Sequence, residues 1–207
     1  MFKDMGASLP APTQIVVNMS RFVKSSIHYM IGALVIIVFM FKRYYKTEKG
    51  KRKIDSLVLK APIFGVLAIK ASVARVTRTL ATLLSSGVAI LESLLIVAKV
   101  AGNKVVEESL LVARSRISEG RSMSEPLQES GVFPPMVVQM IEVGESTGAL
   151  DNMLNKIADF YEEDVDTLVT NLTAMMEPMI MMFLGVILGG LIIAMYLPIF
   201  KLGSAVG

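Results

Sequence analysis

The sequence IHYMIGALVIIVFMF (residues 27–41) is followed directly by KRYYKTEKGKRK (residues 42–53). The first stretch is a long apolar run, and the second carries Lys or Arg at seven of its twelve positions. In membrane proteins, the flank of a span that is rich in Lys and Arg stays in the cytoplasm. The two stretches together predict a transmembrane helix over residues 25–42 that enters the cytoplasm at Lys42.

A second apolar run covers residues 179–197 and contains no charged side chain. At about 1.5 Å per residue, a helix of this length crosses a hydrocarbon core about 30 Å thick. We therefore predict a second transmembrane helix, with its cytoplasmic lead-in, over residues 172–200. Because each span crosses once, residues 1–24 and 201–207 are expected on the periplasmic side, and the main domain in the cytoplasm.

The net charge of +3 combines two regions of opposite sign. Residues 42–53 carry seven positive charges and one negative, whereas residues 54–178 carry ten positive and sixteen negative charges, a net of −6. The positive charge thus lies beside a span, where it predicts contact with anionic phospholipid and argues against nucleic-acid binding.

Several classes of enzyme are excluded by the residue types that the chain lacks. It has no Cys and a single His, His28, so thiol catalysis and paired-His zinc sites are ruled out. The sequence also has no GxxxxGK[ST] loop for holding nucleotide phosphates. We predict neither enzymatic activity nor a cofactor.

Between the two spans, the spacing of apolar residues is helical. It predicts a basic juxtamembrane segment at residues 43–60 and a bundle of about six short antiparallel helices at residues 61–171. Gly87 is expected to end one helix, Asn103 to cap the start of another, and Ser122 with Glu125 to form a capping box. The predicted fold is an all-α membrane protein with a cytoplasmic bundle between two transmembrane helices.

Several short segments of the sequence resemble a known family. They are MIEVGESTGAL (140–150), IADFYEED (157–164), ARVTRTL (74–80), ISEG (117–120), LPAPTQ (9–14), and the ends of the last span, Glu177-Pro178 and YLPIF (196–200). Together they are similar to the type II secretion system F and type IV pilus platform family. The resemblance extends over essentially the whole chain and matches the C-terminal half of such proteins.

The resemblance implies an inner-membrane assembly platform for a type IV pilus or a type II secretion pseudopilus. Such a platform couples a cytoplasmic hexameric ATPase to the insertion of pilin subunits into the filament. Family members usually have two copies of the helical domain and three spans, whereas this chain has one copy and two spans. It is expected to be a C-terminal fragment or a naturally shortened or split member, and to form a homo-oligomer.

The alternative function is a transporter or channel subunit with an ion path near Glu177. An ion path is expected to show buried charges within the spans, and neither apolar core contains an Asp, Glu, Lys or Arg. This composition favours the platform over the transporter.

The first candidate contact for the ATPase or another partner is the segment with Glu142, Gly144, Glu145 and Gly148. The glycines are expected to break the chain around Glu145, and a turn between helices readily displays binding residues. In the alternative interpretation, the glycines only permit the turn and Glu145 caps a helix.

Arg75 and Arg78 are a second candidate contact, because residues three apart share one face of a helix. They are expected to pair with acidic groups of another helix or with lipid phosphate, or to form a solvated face.

A third candidate is the acidic face of the segment before the last span. Its carboxylates are Asp159, Glu162, Glu163 and Asp166, with Asp164 between them. This face either complements a basic patch on the motor, or contributes to a divalent-cation site with help from another helix, or is simply solvated.

In the last span, Glu177 and Pro178 lie at the cytoplasmic mouth. The sequence leaves open whether Glu177 pairs with a specific cationic group or only stays hydrated at the membrane interface. Gly185 and Gly189 have the GxxxG spacing that lets another helix approach closely, which suits packing between copies or pilin docking. Pro198 is expected to end or bend the outer end of the helix.

Overall fold

The structure is a computed structural model that describes the backbone of residues 11–203 and the side chains of residues 13–197. The described chain folds into eight α-helices and contains no strand, which confirms the all-α prediction. In chain order, the helices are α1 (Ala11–Tyr45), α2 (Glu48–Lys60), α3 (Phe64–Ser85), α4 (Ile90–Val100), α5 (Lys104–Ser118), α6 (Ser124–Ser130), α7 (Pro135–Thr147) and α8 (Leu150–Gly203).

The chain divides into two compact units. The membrane unit comprises residues 1–42 and 172–207, and the bundle unit comprises residues 43–171. Two helices are long and apolar enough to cross a membrane, Thr13–Tyr45 and Leu150–Leu197. Of the end segments predicted at residues 1–24 and 201–207, residues 1–10 and 204–207 lie outside the described backbone.

Within the membrane unit, the start of α1 lies beside the end of α8. The hydroxyl of Thr13 donates a hydrogen bond to the carbonyl oxygen of Ala194 at 2.6 Å. A chain that crosses a membrane once in each direction brings these two ends to the same side. The contact is therefore consistent with two spans whose outer ends share one side.

Both long helices extend beyond the predicted apolar runs. Helix α1 begins at Ala11, because Ile15, Met19 and Phe22 continue the helical spacing of apolar residues ahead of residue 25. Helix α8 continues through Pro198 to Gly203, so Pro198 does not end the helix, and the alternative, that it bends the outer end, stays a prediction. A proline removes one backbone hydrogen bond, but a helix in an apolar setting keeps the others because unpaired backbone groups are costly there.

The bundle unit contains α2 to α7 and the first part of α8. Its core is formed by apolar side chains at helical spacing, among them Val73, Val76 and Leu80 of α3 and Leu154 and Ile157 of α8. Each of these side chains is at least 98% buried, which stabilises the bundle by about 1.5–3 kcal/mol per residue. The packing draws helices that are distant in sequence into one core.

The predicted helix ends at Gly87 and Asn103 are confirmed. Gly87 follows α3 with a φ of 79°, a conformation that glycine adopts without steric cost. The side chain of Asn103 accepts hydrogen bonds from the backbone N–H groups of Val105 at 2.9 Å and Val106 at 3.4 Å. These contacts satisfy two of the free N–H groups at the start of α5.

Candidate functional site

The segment between α7 and α8 is not the open turn that its glycines predict. Gly144 and Glu145 both lie inside α7, which ends at Thr147. Only Gly148 and Ala149 connect the two helices, and Gly148 has a φ of 70°. The prediction that the chain breaks around Glu145 is therefore wrong, since the left-handed Gly148 alone is enough to end the helix.

Gly144 has a packing reason to be glycine. A Cβ atom added at this position would lie 2.9 Å from the Cα atom of Leu150 and 3.2 Å from the Cβ atom of Met153. The first turn of α8 therefore packs against the backbone of α7 at Gly144. Any larger residue there would push the two helices apart.

Glu145 caps helix α6, which begins 21 positions earlier. One carboxylate oxygen accepts the backbone N–H of Met123 at 2.7 Å, and the other accepts the N–H of Ser124 at 3.4 Å and the hydroxyl of Ser122. A carboxylate at a helix N-terminus also interacts favourably with the helix dipole. The Ser122 hydroxyl also accepts the N–H of Ser124 at 3.1 Å, so Ser122 contributes to the cap as predicted. Glu125 is exposed, and Glu145 of another helix provides the carboxylate that the predicted capping box assigned to it.

Glu142, one turn earlier on α7, is exposed, and no ion pair to it is found among the described residues. Of the two carboxylates on α7, therefore, Glu145 holds the bundle together and Glu142 is available at the surface.

Arg78 joins α3 to the acidic face of α8. Its Nε and Nη2 atoms donate to the two carboxylate oxygens of Glu162 at 2.9 and 2.8 Å, Nη2 also donates to Asp159, and Nη1 donates to the Asn155 side-chain oxygen at 3.1 Å. These hydrogen bonds to Glu162, followed by those to Asp159, raise the pKa of the Arg78 guanidinium above its ordinary value. Of the alternatives open from the sequence, the structure has Arg78 paired with acidic groups of another helix.

Arg75 points elsewhere. Its guanidinium lies over the turn between α4 and α5, where a Cβ atom added to Gly102 would be 2.6 Å from Nη1. Arg75 is exposed and makes no ion pair within the described residues. The two arginines therefore do not act on one common partner group in the bundle.

The acidic face of α8 is only partly neutralised. Asp164 forms an ion pair with Lys70 of α3 at 2.6 Å, in addition to the pairing of Asp159 and Glu162 with Arg78. Glu163 and Asp166 are exposed and have no ion pair among the described residues. Among the side chains that the structure describes, residues 13–197, no group of three acidic or His residues is placed to hold a metal ion. The remaining surface carries two unpaired negative charges.

Sequence reasoning missed a buried polar junction at Asp55. One oxygen of Asp55 accepts the hydroxyl of Tyr45 at 3.0 Å, and the other accepts the backbone N–H of Lys104 at 2.6 Å. Asp55 is the one acidic residue of α2 that is buried. A buried carboxylate is costly unless it accepts hydrogen bonds such as these. A lone acidic residue after a basic run was the available signal.

Lys104 extends this junction outward. Its ammonium group lies 2.9 Å from Glu107 and 3.0 Å from Glu48, so it links α5 to the start of α2. The hydrogen bond to Glu107, followed by that to Glu48, raises the pKa of Lys104 above its ordinary value. The junction therefore fixes α2 to the bundle through both buried and surface contacts.

In the membrane unit, α8 continues without a break through Glu177 and Pro178, both of which are exposed. A Cβ atom added at Gly185 or Gly189 would meet nothing within 4 Å. The GxxxG face of α8 is therefore not covered by the described part of this chain. Of Pro198, only the helical backbone is described.

Residues 76–198 match the family described as "Type II secretion system (T2SS), protein F". The chain is 49% identical over 206 residues to "Type IV pilus assembly protein PilC" of Myxococcus xanthus, covering 100% of this chain and 49% of the relative. It is 45% identical over 208 residues to the protein of the same name from Pseudomonas aeruginosa, covering 100% of this chain and 56% of that relative.

A more distant relative is "Type II secretion system protein F" of Pseudomonas aeruginosa, which is 31% identical over 207 residues, covering 100% of this chain and 51% of the relative. The chain thus spans about half the length of the curated relatives it matches. These matches confirm the resemblance carried by the sequence motifs, and with the two apolar helices they indicate an inner-membrane protein. The chain belongs to the type II secretion system protein F family.

Proposed function

We propose that the chain is part of an inner-membrane assembly platform, which couples a cytoplasmic hexameric ATPase to the insertion of pilin subunits into a filament. Its relatives are named for type IV pilus assembly and for type II secretion. The identities of 49% and 45% to the pilus proteins, against 31% to the secretion protein, favour a type IV pilus. We further propose that the chain itself is not an enzyme and takes its energy from the motor.

The observation that carries this proposal is the continuity of α8. This single helix contributes Leu154 and Ile157 to the core of the bundle and also contains the apolar run at residues 179–197. A motor that acts on the bundle would thus act on the same helix that runs beside the pilin in the membrane. No separate linker would have to carry the movement.

The motor contact is proposed at Glu163 and Asp166, the two carboxylates of the acidic face of α8 that have no ion pair among the described residues. Glu145 and Arg78, which the sequence also suggested, are engaged in holding helices together. Exposed charges without internal partners remain available for a basic surface on the motor, and such complementarity mainly accelerates and orients association. The homo-oligomer remains part of the proposal, since one platform must serve a hexameric motor.

The test is copurification of the detergent-solubilised full chain with the hexameric ATPase of the same system. The double variant Glu163→Lys/Asp166→Lys is expected to lose most of the bound ATPase. Glu119→Lys, which replaces an exposed carboxylate at the end of α5 that has no ion pair among the described residues, is the control and is expected to bind like the wild type. Equal binding by all three proteins would contradict the α8 contact, and no binding by the wild type would mean that this half of the platform does not bind the motor.

The GxxxG face is proposed as the docking surface for the pilin helix. Gly185 and Gly189 are uncovered in the membrane unit, and small residues allow two helices to pack closely. Gly185→Leu/Gly189→Leu is expected to reduce crosslinking to pilin in membranes. Ile187→Leu, on the opposite side of α8, should leave it unchanged, and the reverse pattern would refute this docking surface.

A further inference from the structure

The connection between α2 and α3 is a sharp and strained corner. The two helices are bent by 109° relative to each other. At the corner, Ile63 has a φ of 67° and a ψ of −62°, and the N–H of Phe64 donates to the carbonyl oxygen of Pro62 at 2.8 Å. This is a γ-turn with positive φ, which is rare and strained, and a β-branched residue makes it more costly. Strain of this kind persists only where the surrounding structure enforces it, and such positions are concentrated at functional sites.

The corner also exposes large apolar side chains to solvent. Leu57, in the last turn of α2, is 72% exposed, Ile63 61% and Phe64 65%, and Val66, in the first turn of α3, is 49% exposed. We call these four residues the corner patch. Large apolar side chains that are exposed together around one corner are typical of a surface that binds a partner or a membrane.

The charges around the corner patch indicate what it binds. Lys49, Lys53 and Lys60 share one face of α2 with Leu57, while Asp55 on another face is buried in the bundle. These three lysines form no ion pair within the described residues. The exposed face of α2 is therefore an apolar and cationic surface without an internal partner.

We propose that the corner patch inserts into the interfacial layer of the membrane, with Lys49, Lys53 and Lys60 bound to anionic phospholipid headgroups. Helices with a cationic face beside large apolar side chains bind at this depth. Lysine side chains bury their aliphatic stems while the ammonium groups reach the headgroups. Only residues 46–47 separate α2 from α1, the candidate span, so the surface is tethered to a membrane segment.

This inference deepens the predicted lipid contact and rests on the proposed membrane insertion of α1. It places a membrane contact at the corner between α2 and α3, which belongs to the bundle unit, in addition to the two spans.

The experiment uses the absence of tryptophan from the chain. Phe64→Trp places a single fluorophore in the corner patch of the full chain, and Phe160→Trp is the matched control. Phe160 is also an aromatic residue on the surface of the bundle unit, 51% exposed, but Asp159, Glu162 and Glu163 surround it in sequence. Both variants are reconstituted in vesicles of phosphatidylethanolamine and phosphatidylglycerol, some with brominated acyl chains that quench nearby tryptophan.

We expect the Phe64→Trp fluorescence to be quenched several times more strongly by brominated lipid than the Phe160→Trp fluorescence, with emission shifted to shorter wavelength. Adding Lys53→Glu/Lys60→Glu to Phe64→Trp should lower the quenching. Weak quenching of both single variants overturns the proposal. So does shifted emission without lipid quenching, which would indicate a protein partner or a second copy. Resistance to alkaline extraction, measured in parallel, shows whether the spans are inserted, and so separates failure of the corner from failure of the proposed function.

Discussion

The clearest test of the bundle is the removal of the cap that Glu145 provides. Glu145→Ala leaves the backbone N–H of Met123, a fully buried residue, without its acceptor, whereas the N–H of Ser124 keeps a hydrogen bond to the Ser122 hydroxyl at 3.1 Å. Loss of a helix cap costs about 0.5–2 kcal/mol, and an unsatisfied buried N–H costs about 1–3 kcal/mol. Because the two estimates describe overlapping contacts, we expect about 2 kcal/mol less stability.

At about 2–4 °C per kcal/mol for a chain of this size, the melting temperature should fall by about 4–8 °C. The control is Glu142→Ala, which removes the same chemical group one turn earlier on α7 from an exposed position. It should change stability by less than about 0.5 kcal/mol. Glu145→Gln keeps an acceptor oxygen but loses the charge, so it should lie between the two.

The assay is thermal unfolding of the full chain in detergent, followed by circular dichroism. Amide hydrogen exchange of peptides that contain residues 121–127 reports the cap locally, and this exchange should become faster only in the Glu145 variants. Equal melting temperatures for Glu145→Ala and Glu142→Ala, with unchanged exchange, would refute the assignment of Glu145 as a structural residue. Glu145 would then return as a candidate for motor binding.

Three further predictions concern packing and pairing. Gly144→Ala should destabilise the bundle by about 1–3 kcal/mol because its Cβ atom meets the backbone of α8, whereas Gly185→Ala, which meets nothing, should cost nothing in thermal unfolding. Arg78→Ala should cost about 1 kcal/mol and increase proteolysis near the start of α8, while the unpaired control Glu163→Gln should leave both unchanged. Asp55→Asn keeps the size of the side chain but offers one acceptor to two donors, so urea unfolding should show a loss of about 1–3 kcal/mol. Wild-type stability of Gly144→Ala, Arg78→Ala or Asp55→Asn would contradict the contact that the substitution removes or disturbs.

The sequence predicted the features that depend on local chemistry. Gly87 and Asn103 mark helix ends because a left-handed glycine and an N-cap asparagine act on the backbone within a few residues. The apolar run at residues 179–197 identifies a span for the same reason, since length and composition are sufficient. Such signals can be interpreted without the tertiary structure.

The errors concern contacts between residues that are distant in sequence. Ser122 and Glu125 have the spacing of a capping box, but Glu145 occupies that role because packing of α7 against α6 brings its carboxylate there. Gly144 resembled a helix breaker, yet its lack of a side chain serves the close approach of α8. In both cases, the local sequence was compatible with two structures, and tertiary packing decided between them.

For Arg78, the sequence left several partners open, and the arrangement of α3 beside α8 selects Glu162 and Asp159. The strained turn at Ile63 had no signal at all in the sequence, because a β-branched residue is the last one expected at positive φ. Local preference was overridden there by the geometry of the corner.

The central claim is that a chain with two spans presents its bundle to the cytoplasm, where a motor can act on it. Because the chain has no Cys, single-cysteine variants can report the orientation directly. Asn18→Cys near the start of α1 and Ser115→Cys on the exposed side of α5 are treated with a membrane-impermeant maleimide in spheroplasts. We predict that Asn18→Cys is labelled in intact spheroplasts and Ser115→Cys only after lysis. Labelling of Ser115→Cys in intact spheroplasts would contradict the account.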